Sequence, residues 1–349
     1  MLKQLDITNL KSISKTSLKL APLTILAGAN SAGKSTVMQA LMLLIKHSGS
    51  SNRFSMEELL RYMNDFSAIR NKRTNAKSLN ITVIDHQDKA HQININADGT
   101  EADSQLQYVY EPPTKITEQE LLYLNANRIG AQELVPVADR KIGLLGEFVF
   151  PTFDKVKGNI LPDELLKFEG SKTISYQLSQ WLAFITGTSL ELQTEKTSDQ
   201  VKVSFNVKDI DSQVSPYNLG AGMSDVAKVL IVCLMAKKGD LILIENPEVQ
   251  LHPKAQALLG VFLAFIASSG IQLIIETHCE HLINKVAYQV YEDEIESEDV
   301  VIHYKGHVEE DFQAITIDLN GEFNDPEGNI ISFPAGFFDV TLTDLMDMR

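Results

Sequence analysis

Eight residues near the start of the sequence have types and spacing that suit phosphate chemistry: Gly28-Ala29-Asn30-Ser31-Ala32-Gly33-Lys34-Ser35, followed by Thr36. They fit the pattern GxxxxGK[S/T]. Glycines let the backbone wrap closely and turn its N–H groups inward. A helix beginning at the lysine adds partial positive charge at the same point. Lys34 supplies a mobile cation for the outer phosphates of a nucleoside triphosphate, and the Ser35 hydroxyl suits Mg²⁺. Gly28, Asn30, Ser31, Ala32, Gly33, Lys34, Ser35 and Thr36 are therefore the expected nucleotide-binding residues, with ATP and Mg²⁺ as the ligands.

Three distant segments could complete such a site. LILIENPE, residues 241–248, is an apolar run ending in acid, so Glu245 is expected to hold Mg²⁺ with Ser35, directly or through water. IIETHCEHL, residues 274–282, is another apolar run, and it ends in Thr277-His278. A histidine there can donate a hydrogen bond to a terminal phosphate. LGAGM, residues 219–223, precedes a helix expected from about Ser224, so Gly220, Ala221 and Gly222 offer a second phosphate-binding helix start. One such start already exists at Gly28, so the second suits a nucleotide held by another copy of the chain.

These residues need elements to hold them. Residues 2–8, 15–20 and 23–27 read as strands, and the loop at Gly28 runs into the apolar helix VMQALMLLIKH. Residues 79–84, 91–96 and 105–111 are spaced as an antiparallel meander, and 121–126 as a further strand. Residues 174–186 have helical period and hold the only tryptophan. Ala257 to Ile275 is nearly all apolar, but Ser268-Ser269-Gly270 and Gln272 divide it into helix, turn and buried strand rather than a membrane span. No stretch sustains heptads, so no long coiled coil is expected.

Composition bounds the partners. The chain has 349 residues, 44% hydrophobic and 22% charged, with a net charge of -15, which supports a large core and disfavours a general nucleic-acid binder. The run Arg70-Asn71-Lys72-Arg73 with Lys77 is the best basic patch, and a solvated loop explains it as well. Cys233 and Cys279 make neither a disulfide framework nor a metal spacing. Reduced thiols and a start without an apolar signal region point to a cytoplasmic protein with no membrane partner.

The order of these motifs resembles the heads of SMC, Rad50, RecF and OLD ATPases, an ABC-type class. ITNLKSIS followed by LTILAGANSAGKST is similar to their start, IENPEVQLHP (244–253) to the acidic-Pro-Glu-Leu-His-Pro motif, and ETHCEHLI to their switch-histidine segment. YLNANRIGAQ with KIGLLGEF (123–147), and FPAGFFD (333–339), resemble a smaller bacterial group of such ATPases with a short C-terminal domain, found in anti-phage defence.

The resemblance implies an α/β fold: a P-loop NTPase head with an antiparallel β lobe and a mainly parallel core sheet flanked by helices. It implies an ATPase head over 1–300, with its nucleotide core at 1–50 and 210–300, an insertion at 51–209, and a small domain at 301–349. It further implies a homodimer closed around ATP, in which Gly220, Ala221 and Gly222 meet the partner's nucleotide, Lys11 approaches the bound nucleotide, and His278 is the switch histidine. A separate effector protein, a nuclease or toxin, is the implied partner. A RecF-like head acting on duplex DNA is the alternative.

Three departures bear on turnover. Gly220 replaces the signature serine, Glu245 replaces an aspartate, and Asn246 stands where the catalytic glutamate usually follows. An amide cannot take a proton from water, which leaves Glu248 as the substitute base and slow hydrolysis as the expectation. The usual Q-loop glutamine has no clear counterpart; Asn64 or Asp65 fall in that region.

Overall fold

A computed structural model describes residues 1–48, 56–111, 119–207 and 212–334. The chain opens with the antiparallel pair β1 (Leu2–Leu10) and β2 (Ile13–Lys19), then β3 (Leu23–Gly28) and helix α1 (Lys34–Lys46). Two short helices follow, α2 (Met56–Leu59) and α3 (Phe66–Ile69). Strands β4 (Ser78–Asp85), β5 (Ala90–Asn96) and β6 (Gly99–Asp103) return to the first pair, giving a five-stranded antiparallel lobe in the order β2-β1-β4-β5-β6. Next come β7 (Tyr108–Tyr110), β8 (Gln119–Leu124) and β9 (Leu134–Pro136), then α4 (Val149–Val156) and α5 (Ile174–Thr186). Strands β10 (Leu190–Thr197), β11 (Gln200–Val207) and β12 (Ser212–Val214) form a small sheet that β9 joins through β11.

The rest alternates helix and strand: α6 (Ala221–Met235), β13 (Leu241–Glu245), α7 (Pro253–Ser268), β14 (Gln272–Glu276), α8 (Glu280–Tyr291) and β15 (Val300–Lys305). It ends in β16 (Gln313–Ile317) and β17 (Phe323–Asn324). Together they build an eight-stranded central sheet ordered β17-β16-β15-β3-β14-β13-β8-β7, parallel from β15 to β7. This is the expected mainly parallel sheet beside an antiparallel lobe.

Both faces of the sheet are covered, which is why its middle strands are continuous apolar runs. Leu26, Leu241, Leu243 and Ile274 face α1 and the antiparallel lobe. Their neighbours Ile25, Ile242, Ile244 and Ile275 face the opposite core, with the helices α4 to α8. Trp181 on α5 anchors that second core, its ring centroid 5.0 Å from Phe168 and 4.9 Å from Phe262.

The expected meander is corrected at its third strand. Gly99–Asp103, wholly exposed, closes the lobe, while Tyr108–Tyr110 joins the central sheet beside β8. Three consecutive buried residues need cover on both faces, which only the central sheet provides. The expected boundary at 300 falls at the start of β15, whose pairing with β3 makes it part of the central sheet. The insertion likewise contributes β8 to that sheet. The GFFD segment (336–339) lies outside the described residues. The longest described helix, α7, has 16 residues, and no described helix is long and apolar enough to cross a membrane.

Candidate functional site

The loop of Gly28 to Ser35 leaves the end of β3 and enters α1 directly. Its backbone is left-handed at Gly28, Ser31 and Gly33, with φ of 126°, 61° and 106°. Gly28 is required twice over: a Cβ there would also lie 2.1 Å from the Lys305 carbonyl oxygen of β15. Ala29 donates its N–H to that carbonyl at 3.0 Å, so the C-terminal strand buttresses the loop. Ala29, Asn30 and Ser31 are exposed, Ala32 and Thr36 buried. Lys34 is 3% exposed, and its Nζ curls back to the carbonyls of Gly28 at 3.1 Å and Ala29 at 2.7 Å. Burial lowers its pKa, against the opposing pull of Glu276.

Glu276, at the end of β14, is the acid at this loop. Its Oε2 accepts the Ser35 hydroxyl at 2.7 Å, and its Oε1 lies 3.7 Å from Lys34 Nζ. Glu245 ends the neighbouring strand in register with Glu276. Its carboxylate turns the other way, accepting from Tyr123 Oη at 2.9 Å and the Ala126 N–H at 3.2 Å. Burial raises its pKa, and nearby Glu276 adds to the rise. Glu276, not Glu245, is thus the acid in direct contact with the Ser35 hydroxyl. Both acids end apolar strands, and Glu276 directly precedes Thr277-His278, a signal that sequence reading passed over.

The oxygen set suits Mg²⁺. A hydroxyl and a carboxylate lie in contact at the mouth of a phosphate loop, and Mg²⁺ is commonly held by one or two carboxylates together with substrate phosphates. Ser35 and Glu276 would hold the ion, which in such sites neutralises charge developing on the phosphates.

His278 is exposed at the tip beyond β14. Burial of part of its ring and the nearby Lys34 charge lower its pKa, while Glu276 and the Gly28 backbone oppose them. Glu248 is 7% exposed, and its Oε1 accepts from Thr277 Oγ1 at 2.7 Å and the His278 N–H at 3.2 Å. Its Oε2 is buried without a hydrogen-bond partner, and burial raises its pKa. Glu248 and His278 border one open cavity of about 340 Å³ with Gln256, Cys279, Glu280 and His281. Asn246 is left-handed at φ 46°, and its side-chain Oδ1 is buried without a partner.

Gly220 and Ala221 are exposed at the start of α6, which begins three residues before the expected Ser224. That start has no side-chain cap and no acid in its first turn; the Met223 N–H donates to the Gly220 carbonyl at 3.0 Å, and no described side chain takes the N–H groups of Ala221 and Gly222. Gly222 differs from its neighbours. It is buried, and a Cβ there would meet the Gln250 carbonyl oxygen at 2.4 Å, so packing alone requires a glycine at this position. Lys11, left-handed at φ 49° in the β1–β2 turn, donates to Gln39 Oε1 of α1 at 2.8 Å. Asn64 accepts from Lys46 at 3.1 Å and Asp65 caps α3, so both are occupied in the antiparallel lobe. The basic run is also engaged: Asn71 is 1% exposed, Arg70 donates to Asn75 at 2.8 Å, and Arg73 pairs with Glu309 at 2.9 Å.

A GxxxxGKS loop on a mainly parallel sheet, with an antiparallel lobe and a distant uncapped helix start, gives the chain the fold of an SMC head. The chain belongs to the family described as "AAA domain, putative AbiEii toxin, Type IV TA system", which it matches over residues 61–284. Residues 1–97, which include the phosphate loop, match a family described as "Protein of unknown function (DUF2813)". Among curated proteins no sequence matches significantly. Two solved structures share the fold. One is the SmcHead bound to the C-winged helix domain of ScpA, 12% identical, covering 91% of this chain and 98% of that one, with a TM-score of 0.57. The other is an Smc head domain with an extended coiled coil bound to the C-terminal domain of ScpA from Pyrococcus furiosus, 11% identical, covering 100% and 99%, with a TM-score of 0.52.

Proposed function

We propose that this protein binds and slowly hydrolyses ATP, closing as a homodimer around two nucleotides to act as a sensor or regulator of a separate effector protein. The observation that carries the reading is the contact of Ser35 with Glu276 beside Lys34, at the turn from β3 into α1. Lys34 leaves its loop carbonyls for the β and γ phosphates, and the hydroxyl and carboxylate beside it take the ion.

Hydrolysis then needs a base. Glu248 is the one the geometry supports: Oε1 is fixed by Thr277 and His278, and Oε2, buried without a partner, takes the proton of the attacking water once closure around ATP brings that water to it. His278 would donate toward the γ-phosphate as the bond to the leaving ADP oxygen breaks. A raised carboxyl pKa makes Glu248 a better base than a solvated glutamate but keeps more of it protonated, and Asn246 offers no second base. Slow turnover follows.

The exposed start of α6 supplies the partner's nucleotide with Gly220 and Ala221, so each site is completed by the other subunit. The toxin–antitoxin description of the family supports a second protein as the reader of the closed state; the setting of anti-phage defence rests on the resemblance of YLNANRIGAQ and KIGLLGEF to such ATPases. The test is steady-state turnover with light scattering, comparing the wild type with Lys34→Ala. ATP-dependent turnover and dimerisation, both lost in the variant, are expected. Turnover that survives Lys34→Ala would refute the site.

A further inference from the structure

Arg128 stands where phosphate chemistry alone asks for no cation. It lies beyond β8 and is 7% exposed. Its Nη1 donates to the Glu245 carbonyl at 2.9 Å, and its Nη2 to the Asn246 carbonyl at 2.8 Å. Its Nε lies 3.3 Å from Asp225 Oδ1, a charge contact rather than an aligned hydrogen bond. Asp225 is 3% exposed and sits just past the first turn of α6. One guanidinium thus holds both the backbone that carries Asn246 toward Glu248 and the helix that presents Gly220 and Ala221.

Two further contacts make this junction stiff. Lys228, one turn along α6, donates to the Ile129 carbonyl and to Gln132 Oε1, so the segment carrying Arg128 is tied to α6 at a second point. Gly222 packs on Gln250 with no room for a Cβ, so the first turn of α6 lies in close contact with the segment after Glu248. Burying a guanidinium, a carboxylate and an ammonium in one place is costly, and apolar side chains would pack the junction more cheaply if cohesion were all it needed.

We propose that Arg128 is a positioning residue that couples a subunit's own nucleotide site to the helix start it offers its partner, so that the two nucleotides of the closed dimer are sensed together. This rests on the ATP-dimer reading above. A γ-phosphate that draws the Glu245–Glu248 segment into place also sets the angle of α6 through Arg128 and Asp225. Occupancy of one site then changes the fit of the other, which is a coupling free energy between them.

The experiment uses the full chain as Arg128→Lys and as Asp225→Asn, beside wild type. Three quantities are read: thermal melting, affinity for a fluorescent ATP analogue at protein concentrations too low for dimers, and dimer fraction by light scattering along an ATP titration. Both variants are expected to fold and to bind the analogue within about twofold of wild type. The ATP needed for half-maximal dimerisation should rise about tenfold, an ordinary coupling strength, and the Hill coefficient should fall to one. A purely structural role would lower melting temperature and analogue affinity together and leave the Hill coefficient alone. Wild-type dimerisation by both variants overturns the proposal, and so does failure of both to fold, which would make the pair a fold determinant. A wild-type chain that binds ATP yet stays monomeric refutes the dimer reading itself, and the coupling with it, before any variant is compared.

Discussion

Glu245 and Glu276 end neighbouring parallel strands in the same register, yet one carboxylate faces Tyr123 and the other Ser35. Sequence alone ranked Glu245 first because the acid after LILI has a familiar setting. What separates the two is side-chain direction, set by Tyr123 on β8, and no residue pattern encodes that. Glu276→Gln is expected to raise the Mg²⁺ needed for half-maximal turnover by about tenfold, as lost metal partners commonly do, and Glu245→Gln by less. Titrating Mg²⁺ at fixed ATP checks this, and equal effects would remove the distinction. The phosphate loop itself was legible residue by residue, because GxxxxGKS leaves little else for those types to do. Arg128 and Lys228 were not legible, since their role shows only once residues 125–132, 225–228 and 245–246 come together in the fold.

Lys228 gives a pH prediction at the same scale. Burial brings its pKa down to about 7, with Asp225 and Glu147 opposing the fall and Arg128 adding to it. Its folded pKa is therefore below its unfolded value near 10.5, and the unfolded chain binds more protons between the two. The resulting cost to stability is fully present below about pH 7 and is relieved as pH rises toward 10.5. Chemical denaturation of wild type and Lys228→Met across this window should show the difference between them narrowing as pH rises. A constant difference would contradict the burial argument.

Among the elements, those with strong periodicity were read correctly. Helix α5 spans the expected residues 174–186, and the apolar stretch from Ala257 divides into α7 and β14 at its Ser-Ser-Gly turn. The failures share one cause. A three-residue strand such as Tyr108–Tyr110 carries no usable period, and its sheet is chosen by burial that only the assembled molecule provides. Trp181 shows how much one side chain anchors: it is 1% exposed and touches Phe168, Phe184, Phe262 and Phe265. Trp181→Ala should cost about 3–5 kcal/mol in urea unfolding. Gly222→Ala should cost about 1–3 kcal/mol, because its new methyl has no room against Gln250. A neutral Gly222→Ala would mean that α6 and the Glu248 segment can move apart.

Across the whole molecule, the sheet divides the work. Its central strands place Lys34, Glu276, Glu248 and His278 at their C-terminal ends, on one rim, as open parallel sheets generally place ligands. The antiparallel lobe and α1 cover one face, and the larger helical core covers the other. The class of fold was legible because strand, loop and helix follow one another in the order such a sheet needs. The return of β15 to the sheet was not, because a short strand near the C-terminus reads the same whether it joins an old sheet or starts a new domain.

The most direct test of the account is a calorimetric titration of Mg-ATP into the full chain, with Lys34→Ala alongside. The account predicts saturable binding of one nucleotide per chain, weakened at least about tenfold in the variant by loss of its charge-assisted phosphate contacts. Equal binding by both proteins, or none by the wild type, would contradict it.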